Sequence, residues 1–244
     1  GTKPVLTSME LSESRLRMDV ENPGEGRPPI TMIFDGEKQI LLIVNHEDKS
    51  ITKLDAQTGD AIRKRMAAAR AEVRAKFGKM PPEQRAMAEK LMAGHSGIAG
   101  FEDPKPAPPA SALEVRAAGR DDNVSGRPCR VFEVDQAGSQ TAEICVQSWK
   151  DAGVTEDDLR ALEELGEFQT RMVDEVGGSP VASMHHPFDL FRQVQGIPLR
   201  TRQKDHKGAV RETTFTSMAK AEIAPARFLP PTDYAIRELL PKGP

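Results

Sequence analysis

A chain of 244 residues with 34 basic against 37 acidic side chains has a formal net charge of −3. It lacks the surplus of Lys and Arg that non-specific phosphate binding needs, which argues against a general nucleic-acid binder or an anionic-membrane anchor. No run of about 18 apolar residues is present, so no membrane span is expected, and a chain of this length folds as one large domain or two small ones with roughly 70–75% of its surface removed from water.

Five strands are expected first, over residues 5–11, 14–20, 30–35, 39–45 and 50–54. Leu16, Met18 and Val20 alternate with Arg15, Arg17 and Asp19, the period-two signal of a strand with one wet face. By contrast, Ile40-Leu41-Leu42-Ile43-Val44 is apolar on both faces, so this strand should be central and covered on both sides. Asp35-Gly36 is a hairpin signal, and the polar run from Asn45 to Lys49 supplies the next turn. Together they make a meander.

After Gly59 the period changes. Ile62, Met66, Ala69, Val73 and Phe77 recur at helical spacing, predicting a helix over about residues 60–77 with one apolar stripe. Pro81-Pro82 ends it, and a second helix starts at Pro82 with Met87, Leu91 and Met92 inward. Residues 94–111, with Pro104, Pro106, Pro108 and Pro109, read as a long exposed loop. Strands follow over 113–118, 128–135 and 141–149. A helix then begins at a Thr155 cap with Glu156, Asp157 and Asp158 in its first turn, and Leu159, Leu162, Leu165, Phe168, Met172 and Val176 form its buried stripe. A short helix over 187–194, a hairpin of 196–204 with 210–218, and an extended tail over 228–234 complete the chain.

Cys129 and Cys145 are the only cysteines and flank a hairpin with its turn at residues 136–139. Counting outward from Ala137 sets them directly across from each other, within reach of a disulfide. The alternative is two small buried thiols. No second pair of ligands stands at zinc-finger spacing, so no zinc site is expected.

No catalytic signature occurs: no nucleophile elbow, His-Glu-x-x-His pair, P-loop or dinucleotide fingerprint. The chain therefore reads as a non-enzyme without a cofactor. Its acidic clusters, Glu156-Asp157-Asp158 and Glu163-Glu164, read as cap and solvated helix face. Met184-His185-His186, with His95 and His206, has the residue types of a soft-metal site; the reading adopted is solvated loop histidines and no metal. Arg200, Arg202 and Lys204 alternate on one strand face, where they meet either a lipid phosphate, a carboxylate or water.

Several phrases carry a resemblance. They are residues 31–38 (Thr-Met-Ile-Phe-Asp-Gly-Glu-Lys), the turn 46–50, the Met80-Pro81-Pro82-Glu83-Gln84-Arg85 insert, the strand opening at Gly196-Ile197-Pro198, and Phe228-Leu229-Pro230-Pro231. Together they resemble an uncharacterised bacterial envelope family similar to the LolA/LolB lipoprotein carriers. The resemblance implies an α+β fold in which a curved antiparallel, unclosed β-barrel, a LolA-like half-barrel, wraps over helices. It would form a single domain over residues 1–244, with a helical insert at about 60–94 and the Pro-rich loop at about 94–111. It also implies the periplasm of a Gram-negative bacterium, with the signal peptide removed ahead of Gly1 and a lipid anchor in the precursor left open. The expected function is non-enzymatic binding or carriage of a hydrophobic ligand, a lipid or the acyl chain of a lipoprotein. Met32, Phe34, Leu41 and Ile43 are the candidate ligand-lining residues. The other reading is an envelope sensor or scaffold that binds a protein partner.

Overall fold

Five strands occupy the first 54 residues: β1 (Leu6–Ser12), β2 (Arg15–Glu21), β3 (Ile30–Asp35), β4 (Ile40–Asn45) and β5 (Ser50–Leu54). The computed structural model describes residues 5–21, 27–79, 81, 113–136, 139–175, 190, 193–204, 209–237 and 239. Each strand pairs antiparallel with the next, in the expected meander. At the β3–β4 turn the Gly36 amide donates to the Ser14 carbonyl at 2.8 Å, and a Cβ on Gly36 would meet that oxygen and the Glu164 carboxylate. Only a residue without a side chain lets the two turns approach this closely.

Helix α1 (Ala56–Gly78) begins four residues before the expected start. Asp55 caps it, accepting from the Thr58 amide and hydroxyl, both at 2.9 Å. From Asp60 onward its described side chains are exposed, apart from a half-buried Ile62. Met66 is 37% exposed. The expected inner stripe of this helix is thus uncovered at Met66 and Ala69 among the described residues; Val73 and Phe77 lie outside the described side chains, as do the expected second helix and the Pro-rich loop.

A second meander comprises β6 (Leu113–Val124), β7 (Arg127–Gln136), β8 (Ser139–Ser148), β9 (Gly196–Lys204) and β10 (Val210–Thr214). β6 runs six residues past the expected end at Ala118, through a register shift between Ala117 and Asp121. It then turns at Ser125-Gly126, whose φ values of 54° and 81° suit a two-residue primed hairpin turn. Between β8 and β9 lie α2 (Trp149–Ala152), a 3-10 turn at Asp157–Leu159 and α3 (Arg160–Glu175). The Thr155 cap is present. Its amide donates to the Asp158 carboxylate at 2.7 Å, and the Asp158 amide returns a bond to the Thr155 hydroxyl at 3.4 Å.

The expectation of one continuous sheet is corrected. The strands divide into two sheets, ordered β1-β2-β3-β4-β5-β11 and β10-β9-β8-β7-β6. The division has a local cause. β11 (Ala235–Arg237), which falls in the stretch after the expected extended tail, lies parallel on the outer edge of β5, so the second meander cannot add there. The result is an α+β protein with two mostly antiparallel sheets.

Among the described residues, four apolar clusters hold it. Leu16, Phe34 and Leu41 are buried against Ala161, Leu165 and Phe168 of α3, and the rings of Phe34 and Phe168 lie 5.6 Å apart. On the opposite face of the same sheet, Ile33, Val44 and Ile51 pack under Phe228, Ile223 and Tyr234 of the C-terminal segment. β4 is therefore central and packed on both faces, at Leu41 on one and Val44 on the other, while Ile43 is only partly buried. The second sheet buries Val124, Cys129, Val131, Cys145 and Leu199 on one side, and Val134, Ala142, Ile144 and Val146 on the other.

Cys129 and Cys145 are joined, with Cα atoms 5.4 Å apart. Their register departs from expectation. Cys145 stands opposite Val131, so the bridge runs diagonally to the residue two positions away on the same face. Two single steps account for this: at the turn Gln136 pairs with Ser139, one residue beyond the expected register, and Asp135 pairs with Gln140 while Val134 pairs with Ala142, leaving Thr141 extra, its hydroxyl bonded to the Val134 carbonyl at 3.1 Å.

Candidate functional site

The four ligand-lining candidates come together on the face of the first sheet that α3 touches. Met32 pairs directly with Ile43, and Phe34 with Leu41, which makes a two-by-two block. The block is split in its surroundings. Phe34 and Leu41 belong to the row Leu11–Leu16–Phe34–Leu41–Leu54, which runs under α3; at 0% and 5% exposure they are core, closed to any ligand while the helix is in place. Met32 and Ile43 belong to the next row, Met9–Met18–Met32–Ile43–Thr52.

That second row is the open part of the face. Met18, Met32 and Ile43 are partly buried, and Met9 on the edge strand is 43% exposed. Beyond it, Val20 and Ile30 pair directly and are also partly buried. The position of α3 explains the difference. Ser14 donates to Glu164 at 3.1 Å and Arg171 bonds Gln39, so the helix is held over the turn ends of the β1–β2 and β3–β4 hairpins. From Met9 to Ile43 the row spans about 14 Å at the usual inter-strand spacing. It carries no charge. Such a surface of thioethers and hydrocarbon adapts to irregular apolar shapes. Met9 and Met18 were not singled out in the sequence; the signal lay in the alternation Met9-x-Leu11 and Leu16-x-Met18 across a two-residue turn.

The opposite face carries polar residues that the alternation assigned to water. Arg17 grips Asp19 through two bonds of 2.8 Å, Thr31 donates to Asp19 at 2.5 Å, and Arg15 lies over the Phe228 ring at 5.1 Å. Because the ionised Asp19 only accepts, His46 Nε2 donates to the Thr31 hydroxyl at 2.8 Å, leaving Nδ1 to accept from Tyr234 at 3.1 Å. Thr31 is 2% exposed. Asp19, His46 and Tyr234 stay partly exposed; the chain ties the C-terminal segment to the sheet, with help from Arg227 on Glu10 at 2.8 Å and Arg237 on Asp48 at 2.7 Å. The expected wet face is covered because its charges pair with each other.

Burial pushes the Asp19 pKa up, but the hydrogen bonds from Arg17 and Thr31 and the charges of Arg17 and Arg227 outweigh it and hold the carboxyl below its ordinary value. Asp35, held by Lys38, and Asp158, held by the Thr155 amide and Lys220, are lowered too. A lowered folded-state pKa contributes stability that is present above the unfolded value, near 3.9, and is lost as pH falls through the folded one. Thermal midpoints should therefore fall steeply below about pH 4, and Asp19→Asn should flatten that acid limb relative to wild type. Parallel limbs for the two proteins would show that the Asp19 network does not couple to folding.

On the second sheet, Arg200 meets Asp122 at 2.5 Å and Arg202 meets Glu212 at 2.6 Å, with Glu143 within 4 Å of both. Of the partners expected for these arginines, carboxylates are found, and they are the protein's own. Lys204 lies outside the described side chains. Met184, His185, His186, His95 and His206 also lie outside the described residues. Among the described residues no group of three or more His, Cys, Asp or Glu is placed to hold a metal, and no helix is long and apolar enough to cross a membrane.

Compared with known proteins, the chain matches no family model, no curated protein and no solved structure. The likeness to the lipoprotein carriers rests on the sequence phrases alone.

Proposed function

We propose that this protein binds a hydrophobic ligand, a lipid or the acyl chain of a lipoprotein, on the row Met9–Met18–Met32–Ile43, without catalysing a reaction. One observation carries the reading: an uncharged, methionine-bearing row stays partly open beside a fully buried row that already supplies the core under α3. In this reading the first sheet and α3 act as a LolA-like half-barrel, with α3 as the wrapped helix and the open row as its concavity. The Cys129–Cys145 bridge suits an oxidising compartment, the periplasm of a Gram-negative bacterium.

A fluorescent fatty-acyl probe should saturate the protein at micromolar concentration, roughly −8 kcal/mol. Ile43→Asp should abolish uptake, since it places an uncompensated carboxylate in the row, while Met66→Asp on α1 should leave it unchanged. Both variants are compared only where their circular dichroism matches wild type. The absence of saturable uptake of any acyl probe or envelope lipid by the wild type would overturn the carrier reading.

The second reading, a sensor or scaffold that binds an envelope protein, is favoured by α1, whose exposed Met66 stands on the same helix as the exposed Arg63 and Lys64. Under that reading Met66→Asp, not Ile43→Asp, is the damaging substitution.

A further inference from the structure

Three of the chain's ten methionines stand on one line across adjacent strands. Met9 pairs directly with Met18, and Met18 with Met32. Directly opposed antiparallel residues have Cα atoms about 4.5–5.5 Å apart. Flexible side chains with three rotatable bonds can bring the two outer thioethers to the middle one across that spacing. Met172 of α3 packs, like Met18 and Met32, against the cluster of Leu16, Phe34 and Leu41.

The setting is unusual for methionines that only fill a core. Tight filling is done one row away by Leu16, Phe34 and Leu41, whereas the methionine row is partly buried and opens to solvent at Met9. Its remaining members are Ile43 and Thr52, so no carboxylate or imidazole shares it. Apart from the Thr52 hydroxyl, hard cations find no oxygen ligand in the row. We propose that Met9, Met18 and Met32 form an all-thioether site for a soft monovalent cation, copper(I). Neutral thioether sulfur selects soft ions over zinc, magnesium or calcium. The two cysteines do not compete for the ion, because their sulfurs are bonded to each other. The site shares a surface with the proposed acyl-binding row but rests on sulfur chemistry rather than on apolarity.

The test uses the whole chain with its disulfide intact, titrated with copper(I) under argon with ascorbate against the colorimetric chelator bicinchoninate. Wild type should withdraw a single equivalent of copper(I) from the chelator. Met18→Leu keeps volume and apolarity, and should weaken copper(I) binding about tenfold or more while the thermal midpoint matches wild type. Copper(I) is read from the chelator and acyl uptake from the fluorescent probe on the wild-type protein, so the two proposals fail separately. Met9→Leu, at the exposed end of the row, gives the same reading if Met18→Leu lowers the thermal midpoint. A wild type that leaves all copper(I) with the chelator overturns the site, as do leucine variants that hold copper(I) as tightly as wild type.

Discussion

Phe34→Ala is expected to lower the stability of the protein by about 3–5 kcal/mol, the usual cost of truncating a buried aromatic side chain. Phe34 is fully buried between Leu16 and Leu41 in its row and under Phe168 of α3. Its loss opens a cavity at the contact that holds the helix on the sheet, and neither partner can collapse into it while Ser14 and Gln39 anchor α3 at the turns. Against a typical total of about 5–15 kcal/mol, this should shift the urea midpoint strongly and release α3 first. Equilibrium unfolding followed by circular dichroism measures the shift. A loss under about 1 kcal/mol would mean that the helix does not rest on this row.

Removing the disulfide is the second large effect. The bridge closes a loop between residues 16 apart, worth about 3 kcal/mol through the lost freedom of the unfolded chain. Cys129→Ala with Cys145→Ala should cost about that much, and the damage should fall on the second sheet, where the pair packs with Val124, Val131 and Leu199. Amide exchange should accelerate in β7 and β8 while β3 and β4, in a different sheet, keep their protection. Intact mass after alkylation without reductant should show no free thiol in periplasmically expressed wild type. Two alkylated cysteines in folded protein, or superimposable unfolding curves for wild type and the double variant, would refute the contribution.

Much of the local structure was legible because it is set by neighbouring residues. β3, β5 and β9 have the expected bounds, since turn residues and alternation mark their ends within the strand itself. The Thr155 cap and the stripe from Leu159 to Met172 placed α3 on the correct face. The pairing of Cys129 with Cys145 was also legible, because a hairpin brings residues on one face together even when the register slips. The slip itself was not. It comes from two steps, the pairing of Gln136 with Ser139 at the turn and one extra residue, Thr141, whose hydroxyl finds the Val134 carbonyl only in the folded strand pair. The start of α1 at Asp55 and the Ser125-Gly126 turn had signals in the chain, an Asp-x-x-Thr cap and a Gly, which the apolar periodicity passed over.

The candidate site shows where local reasoning ends. Alternation put Met32, Phe34, Leu41 and Ile43 on a common face, and they share one. It could not separate Phe34 and Leu41 from Met32 and Ile43, because all four point to the same face; only the docking of α3 over the turn ends makes one row core and leaves the next row open. The same holds for Arg15, Arg17 and Asp19, polar by sequence yet roofed by a C-terminal segment more than two hundred residues away. The division into two sheets was likewise decided by β11 on the edge of β5. By itself the sequence determined which neighbouring strands form hairpins and which faces are apolar, because those follow from backbone period and turn chemistry. Tertiary structure decided which apolar face is closed, which polar face is covered and where a sheet stops, because these depend on which distant segment reaches the surface.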